Sequence, residues 1–108
     1  MKIKKVFVAN RGEIAVRILK ACRELGIKTV QAFSDIDAQS LPVQLADSAI
    51  NIGASPALQS YLNIQNVLTA ALESGADAVH PGYGFLSESA EFSKICSENG
   101  FHFIGPDP

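Results

Sequence analysis

Val6, Phe7, Val8 and Ala9 follow one another without a polar break, and from Gly12 onward the apolar residues recur at helical spacing instead. A continuous apolar run this short is the pattern of a parallel strand buried on both faces, whereas a strand with one wet face alternates. Ile14, Ala15, Ile18, Leu19, Cys22 and Leu25 then fall on one helical face, and Gly26 supplies a C-terminal stop. A buried strand that hands over to an amphipathic helix is half of a βαβ unit. It demands further parallel strands and helices covering both sides of a sheet.

The rest of the chain supplies them. Ile27 to Phe33 predicts a second strand, with Thr29, Val30 and Phe33 giving β-branched and aromatic character, and Ser34-Asp35-Ile36-Asp37 ends it in turn chemistry. Ser40 and Pro42 start a short helical turn through Ala46, and Ala49 to Ile52 predicts a third strand stopped by Gly53. Asn63 is a good N-cap for a helix whose inward residues are Ile64, Val67, Leu68, Ala71 and Leu72, closed by Gly75. Ala76 to His80 predicts a fourth strand. Ser87 to Asn99 predicts a helix with Phe92, Ile95 and Cys96 inward, and Phe101 to Ile104 follows Gly100 as a last strand. The alternation implies an α/β fold: an open, doubly wound parallel sheet of Rossmann-like type. At 108 residues, 47% of them hydrophobic, residues 1–108 suit one domain with a core that needs no staples.

Charge and cysteine usage narrow the function classes. Nine Lys and Arg against eleven Asp and Glu are interspersed, which argues against an extended polyanion-binding surface and a nucleic-acid partner. Cys22 and Cys96 are isolated, suggesting neither a disulfide framework nor a zinc site, and the cytoplasm is the default compartment. The basic start, Met1 to Lys5, precedes an apolar stretch too short for a signal peptide or a membrane span, so no membrane association is expected. Glu13, Arg17, Lys20 and Glu24 line the polar face of the first helix. On residues alone this is a solvated stripe whose Glu13–Arg17 pair contributes about 0.3–0.5 kcal/mol.

In open parallel sheets ligands bind beyond the carboxyl ends of the strands, and three loops occupy that edge: Asn10-Arg11-Gly12, Ser34-Asp35, and His80 to Ser87. Asp35 stands where a ribose-binding acid would in a dinucleotide site, but the glycines fail the test. Ala9-Asn10-Arg11-Gly12-Glu13 offers one Gly between a bulky Arg and a carboxylate that would repel phosphate. A structural turn braced by Arg11 is the preferred reading. The third loop, Val79-His80-Pro81-Gly82-Tyr83-Gly84-Phe85-Leu86-Ser87-Glu88-Ser89, is the candidate site. Gly82 and Gly84 permit close backbone approach around an exposed Tyr83, Ser87 can cap the next helix, and Glu88 suits its positive first turn. His80 and His102 read as structural residues, and the two cysteines as small hydrophobes. With no nucleophile–base set, carboxylate pair or P-loop, no catalytic residue and no metal ligand is assigned.

Two motifs together, Val8-Ala9-Asn10-Arg11-Gly12-Glu13-Ile14-Ala15 with Arg17, and His80 to Glu88, resemble the N-terminal domain of biotin carboxylase. Ala46-Asp47, Ser60-Tyr61-Leu62 and Phe103-Ile104-Gly105-Pro106 fit the same pattern, so the resemblance covers essentially the whole chain; Ser89 stands where the family often has Asn. The resemblance implies a pre-ATP-grasp domain, with ATP-grasp and C-terminal domains expected after residue 108. The implied activity is that of an ATP-dependent ligase that activates bicarbonate as carboxyphosphate and carboxylates biotin on a carrier protein or domain. ATP, Mg²⁺ and biotin would be bound mainly outside residues 1–108, which alone would be folded but inactive. It implies that His80, Gly82, Tyr83, Gly84, Phe85, Ser87 and Glu88 line the biotin side of the cleft. It also implies a homodimer in which Arg17, Lys20 and Glu24 meet the partner subunit. Acetyl-CoA, propionyl-CoA, methylcrotonyl-CoA and pyruvate carboxylase systems are all open. The alternatives are a stand-alone dinucleotide-binding module using Asp35 and an oligomerisation module.

Overall fold

A computed structural model describes residues 2–105. Five strands, β1 (Lys5–Val8), β2 (Lys28–Ser34), β3 (Ser48–Gly53), β4 (Ala78–His80) and β5 (His102–Phe103), form one sheet. Its order is β3-β2-β1-β4-β5, and every pairing is parallel. The connections are α1 (Gly12–Glu24), α2 (Leu41–Leu45), α3 (Ile64–Ser74) and α4 (Ala90–Glu98). This is the expected doubly wound α/β arrangement.

The four apolar residues of the first strand divide between two cores. Val6 and Val8 pack with Ala15, Ile18, Leu19 and Cys22 of α1 on one face, joined by Leu45 and Ala46. Phe7 and Ala9 pack on the other face with Val67, Leu68 and Ala71 of α3 and Phe92 and Cys96 of α4. All four are at most 1% exposed, which is why the run carries no alternation. The chain steps outward from β1 through β2 to β3 with helices on one face, then outward through β4 to β5 with helices on the other. A constant crossover hand requires that change of face. The reversal falls between β1 and β4, where two neighbouring strands send their following loops to opposite sides of the sheet.

Three expectations need correction. Leu25 is 74% exposed. Helix α1 ends at Glu24, and Leu25 caps it with an N–H turned back to the carbonyls of Ala21 and Cys22, so it lies past the helical periodicity. Leu72 is 51% exposed because it stands about 100° around α3 from Ala71, at the margin of the stripe, and Ala70 is buried instead. The helix expected from Ser87 begins at Ala90, after a tight 3-10 turn at Phe85–Glu88. Ser89, not Ser87, is its N-cap, accepting the Phe92 N–H at 3.1 Å. By contrast Asn63 caps α3 as expected, accepting from the Asn66 N–H, and Gly75 closes it in the left-handed region at φ 71°. Among the described residues no helix is long and apolar enough to cross a membrane.

Phe92 is fully buried, meets Phe103 edge-on with ring centroids 5.8 Å apart, and joins α4 to the last strand. Phe92→Ala is expected to lower the stability of residues 1–108 by about 3–5 kcal/mol, read as a drop in the urea midpoint at unchanged slope.

Candidate functional site

Because β1 lies between β2 and β4, the loop after β1 is brought against both the loop after β2 and the loop after β4. This is the topological switch point, where open α/β sheets leave a crevice beyond their carboxyl ends. Asn10, next to the end of β1, is 1% exposed. Its side-chain amide donates to the carbonyl oxygens of Pro81 and Tyr83, both at 2.7 Å, while its Oδ1 accepts the Arg11 N–H at 2.8 Å. Gln31 of β2 donates from Nε2 to the backbone carbonyls of Asn10 at 2.5 Å and Ala32 at 2.8 Å.

Arg11 turns the other way, toward the loop after β2. Its Nε and Nη2 donate to the two carboxylate oxygens of Asp37 at 2.7 and 2.9 Å, a bidentate pair. The Tyr61 hydroxyl donates to the same carboxylate at 2.6 Å and accepts the Ser34 N–H at 3.2 Å; Ser34 Oγ donates to Asp37 at 3.3 Å. The Arg11 guanidinium is thus half-exposed and Asp37 nearly buried. Hydrogen bonding from Arg11 holds the Asp37 carboxyl down at about 2 against the pull of desolvation, and hydrogen bonds from Tyr61 and Ser34 assist. Burial first, then the hydrogen bond to Asp37, pushes the Tyr61 phenol up to about 12. Arg11 therefore braces the turn, as its position in the sequence suggests. Asp35, the residue tested as a ribose acid, accepts a hydrogen bond from Asn51 Nδ2 at 2.8 Å.

The turn from Pro81 to Phe85 is conformationally costly. Gly82 and Gly84 take φ values of 70° and 72°, and Phe85 takes 48°, the one non-glycine residue with positive φ among those described. A bulky side chain in that region costs of the order of 1–3 kcal/mol and persists only where its surroundings over-determine it. Phe85 is held by packing its ring on Tyr61, centroids 5.3 Å apart. The two glycines are not equivalent. A Cβ at Gly82 would stand 2.8 Å from Asn10 Nδ2 and 2.9 Å from Ile14 Cγ2, so this glycine permits close approach to the chain's own loop. A Cβ at Gly84 would meet nothing within 4 Å. Tyr83 between them is 79% exposed.

The other expected site residues are distributed less evenly. His80 is half-buried, its Nδ1 accepts the Gly82 N–H at 3.1 Å, and burial lowers its pKa. Those are properties of a residue that fixes the turn. Ser87 is buried within the 3-10 turn and Glu88 is exposed. Arg17, Lys20 and Glu24 all face outward on α1, with Arg17 reaching Glu13 at 3.1 Å. Burial raises the thiol pKa of both cysteines, Cys96 to about 12, which leaves them inert. Asn10, Gln31, Asp37 and Tyr61 carry the architecture of the site, and none was assigned a site role from the sequence.

Residues 2–108 match the family described as biotin carboxylase, N-terminal domain. The chain belongs to that family. It is 55% identical over all 108 residues to a biotin carboxylase of Nostoc, spanning 24% of that protein's length. It is 59% identical over 105 residues, 97% of this chain, to the methylcrotonoyl-CoA carboxylase alpha subunit of Glycine max, spanning 14% of it. Among solved structures, the biotin carboxylase domain dimer of Hydrogenobacter thermophilus 2-oxoglutarate carboxylase, in complex with MgADP, ADP and bicarbonate, superposes with a TM-score of 0.92. The two are 50% identical over 99% of this chain and 23% of that one. The Kluyveromyces lactis urea carboxylase gives a TM-score of 0.94 and 46% identity over 97% of this chain and 9% of that one.

The Hydrogenobacter domain is in complex with MgADP, ADP and bicarbonate, and two features of the described residues here bear on such ligands. Among the described residues no three His, Cys, Asp or Glu side chains gather as a cation site. The turn into α1 has no side-chain cap, carries Glu13 in its first turn, and has its one cation committed to Asp37. What the domain offers is the strained turn with the exposed Tyr83 at its apex, at the switch point of the sheet.

The Asp37 cluster sets a pH dependence. The carboxyl titrates near 3.8 when unfolded and at about 2 when folded. Between those values the unfolded chain holds more protons, so stability is present above pH 4 and is lost as pH falls toward 2. This contribution is about 2 kcal/mol. Asp37→Asn is expected to lower stability at pH 7 by about that amount and to flatten the acid limb of a stability–pH profile measured by urea unfolding. At the alkaline end the raised Tyr61 phenol adds stability below pH 10 that is lost toward pH 12, and Tyr61→Phe removes that loss.

Proposed function

We propose that residues 1–108 form the N-terminal domain of a biotin carboxylase, in which the Tyr83 turn makes one wall of the site where biotin is carboxylated. Family membership supplies the reaction class, an ATP- and bicarbonate-dependent ligase. The observation that carries the local assignment is the turn itself. A tyrosine 79% exposed stands at the switch point of the sheet, on a backbone with three positive φ angles in four residues. The strain at Phe85 needs a reason, and an exposed aromatic ring beside an open glycine is a surface on which a flat, largely apolar ring system can pack while backbone groups hydrogen-bond its polar edge.

The named relatives differ in what their full chains carboxylate, as methylcrotonoyl-CoA, 2-oxoglutarate and urea carboxylases, yet share this domain at 46–59% identity. Their common step is carboxylation of biotin, which is where this domain belongs; the choice of acceptor lies elsewhere. ATP and Mg²⁺ are assigned to ATP-grasp and C-terminal domains following residue 108, because the residues present fit neither. A biotin carboxyl carrier protein or domain is the partner that delivers biotin, and the setting is the cytoplasm.

The outward stripe of α1 is assigned to a homodimer interface, a reading supported by the dimer of the Hydrogenobacter domain. Across a two-fold axis Arg17 and Lys20 can pair reciprocally with Glu24 of the partner subunit. Lys20→Glu and Glu24→Lys, each alone in the complete enzyme, are expected to shift sedimentation toward monomer, and unchanged profiles in both count against the interface.

Tyr83→Ala in the complete carboxylase is expected to raise KM for free biotin roughly ten-fold, with KM for ATP and bicarbonate nearly unchanged, as expected for loss of a single aromatic contact. An unaltered biotin KM refutes the assignment of the wall. Residues 1–108 alone are expected to fold and to release no phosphate from ATP in response to biotin and bicarbonate.

A further inference from the structure

We propose that Asn10 is a positioning residue for the biotin-side turn: through the carbonyls of Pro81 and Tyr83 its amide sets the orientation of the Gly84 N–H and the Tyr83 ring at the switch point. The proposal rests on the reading of that turn as a biotin wall and deepens it.

The geometry leaves the Asn10 amide one task. Both of its protons are used on two carbonyls two residues apart, at 2.7 Å each, and its oxygen is used on the Arg11 N–H. A trans peptide is planar, with its N–H directed opposite to its C=O. Drawing the Tyr83 carbonyl inward to Asn10 therefore directs the Gly84 N–H away from Asn10. Drawing the Pro81 carbonyl inward likewise turns the Gly82 N–H away, toward His80 Nδ1, which it reaches at 3.1 Å. One side chain thus fixes two alternate peptide planes, Pro81–Gly82 and Tyr83–Gly84, and turns the donor of each away from itself. The Gly84 donor suits a carbonyl oxygen such as the ureido oxygen of biotin.

Asn10 is in turn held from behind. Gln31 donates to its backbone carbonyl, and the Gln31 Oε1 is buried with no hydrogen-bond partner among the described residues. An orphaned buried acceptor costs stability, so a Gln retained only for packing would serve worse than an apolar residue of the same size. The Gln31 amide adds a bond to its neighbour Ala32 and, across to the next strand, the tether to Asn10. On the other side the next residue, Arg11, is locked to Asp37.

The test uses the complete carboxylase that carries this domain. Asn10→Asp keeps an oxygen for the Arg11 N–H but replaces the double donor with an acceptor facing two carbonyls. Gln31→Leu removes the tether and the orphaned acceptor together, and serves if the first variant fails to fold. Exchange of the Gly82 amide, which donates to His80 Nδ1, is expected to quicken at least ten-fold in Asn10→Asp, with the rest of the sheet unchanged. KM for free biotin is expected to rise about ten-fold in Asn10→Asp and about three-fold in Gln31→Leu, while KM for ATP and bicarbonate stays within about two-fold, as for an interaction felt only at the biotin end. A uniform fall in kcat with all KM values unchanged, or unchanged exchange at Gly82 in the variants that fold, overturns the proposal. Tyr83→Ala run beside them separates the two readings. If it raises the biotin KM and the Asn10 and Gln31 variants do not, positioning by Asn10 fails while the biotin wall stands. If it leaves the biotin KM unchanged, the wall fails, and the exchange data still decide whether Asn10 holds the turn.

Discussion

The architecture depends on one strand being paired on both sides. β1 is four residues long and buried from Val6 onward, with β2 on one edge and β4 on the other. Because all pairings are parallel, every strand ends on the same side of the sheet, and the loops after β1, β2 and β4 share one rim. The three meet through polar side chains, not through further apolar packing. Asn10 reaches the loop after β4, and Arg11 reaches Asp37 after β2. A short turn without a phosphate fingerprint becomes in this way a bracket between two neighbours.

The bracket explains how a strained turn persists. Left-handed backbone at Phe85 would relax if its surroundings allowed. Tyr61 prevents it by stacking on the Phe85 ring while its hydroxyl is anchored to Asp37, which also holds Arg11. One buried carboxylate therefore ties the packing beneath the turn to the loop beside it. Its low pKa is the electrostatic record of that shared use, since an anion with several donors resists protonation.

Local pattern was enough to read the layers. The uninterrupted Val6–Ala9 run, the helical period after Gly12 and the Asn63 and Gly75 boundaries each follow from chemistry within a few residues, and each appears in the structure. Leu25 and Leu72 misled because apolar spacing continues past the point where a helix stops or its stripe turns away. Ser87 and Ser89 both suit an N-cap, and only the intervening 3-10 turn decides between them. Tyr83 was legible as an exposed residue on a glycine-rich turn. Its support was not: Asn10 and Tyr83 are 73 positions apart, and Arg11 and Asp37 are 26 apart. Polar pairs at such separations carry no periodicity, and Asp37 in particular looks like ordinary turn chemistry until Arg11 and Tyr61 are placed around it.

Asp77, at the opposite edge of the sheet, gives the pair β1–β4 a second fastening. Its carboxylate accepts the N–H groups of Lys4 and Lys5 at 2.7 and 2.9 Å, where the two strands begin. At their other end the Asn10 amide spans the same pair. β4 is only three residues long, and a strand so short has little ladder of its own to resist sliding by one position, a slip that would exchange its two faces and swing the Tyr83 turn to the other side of the sheet. Stapled at both ends, the pair has a single register open to it, and the side of the sheet on which Tyr83 stands is settled before any ligand arrives.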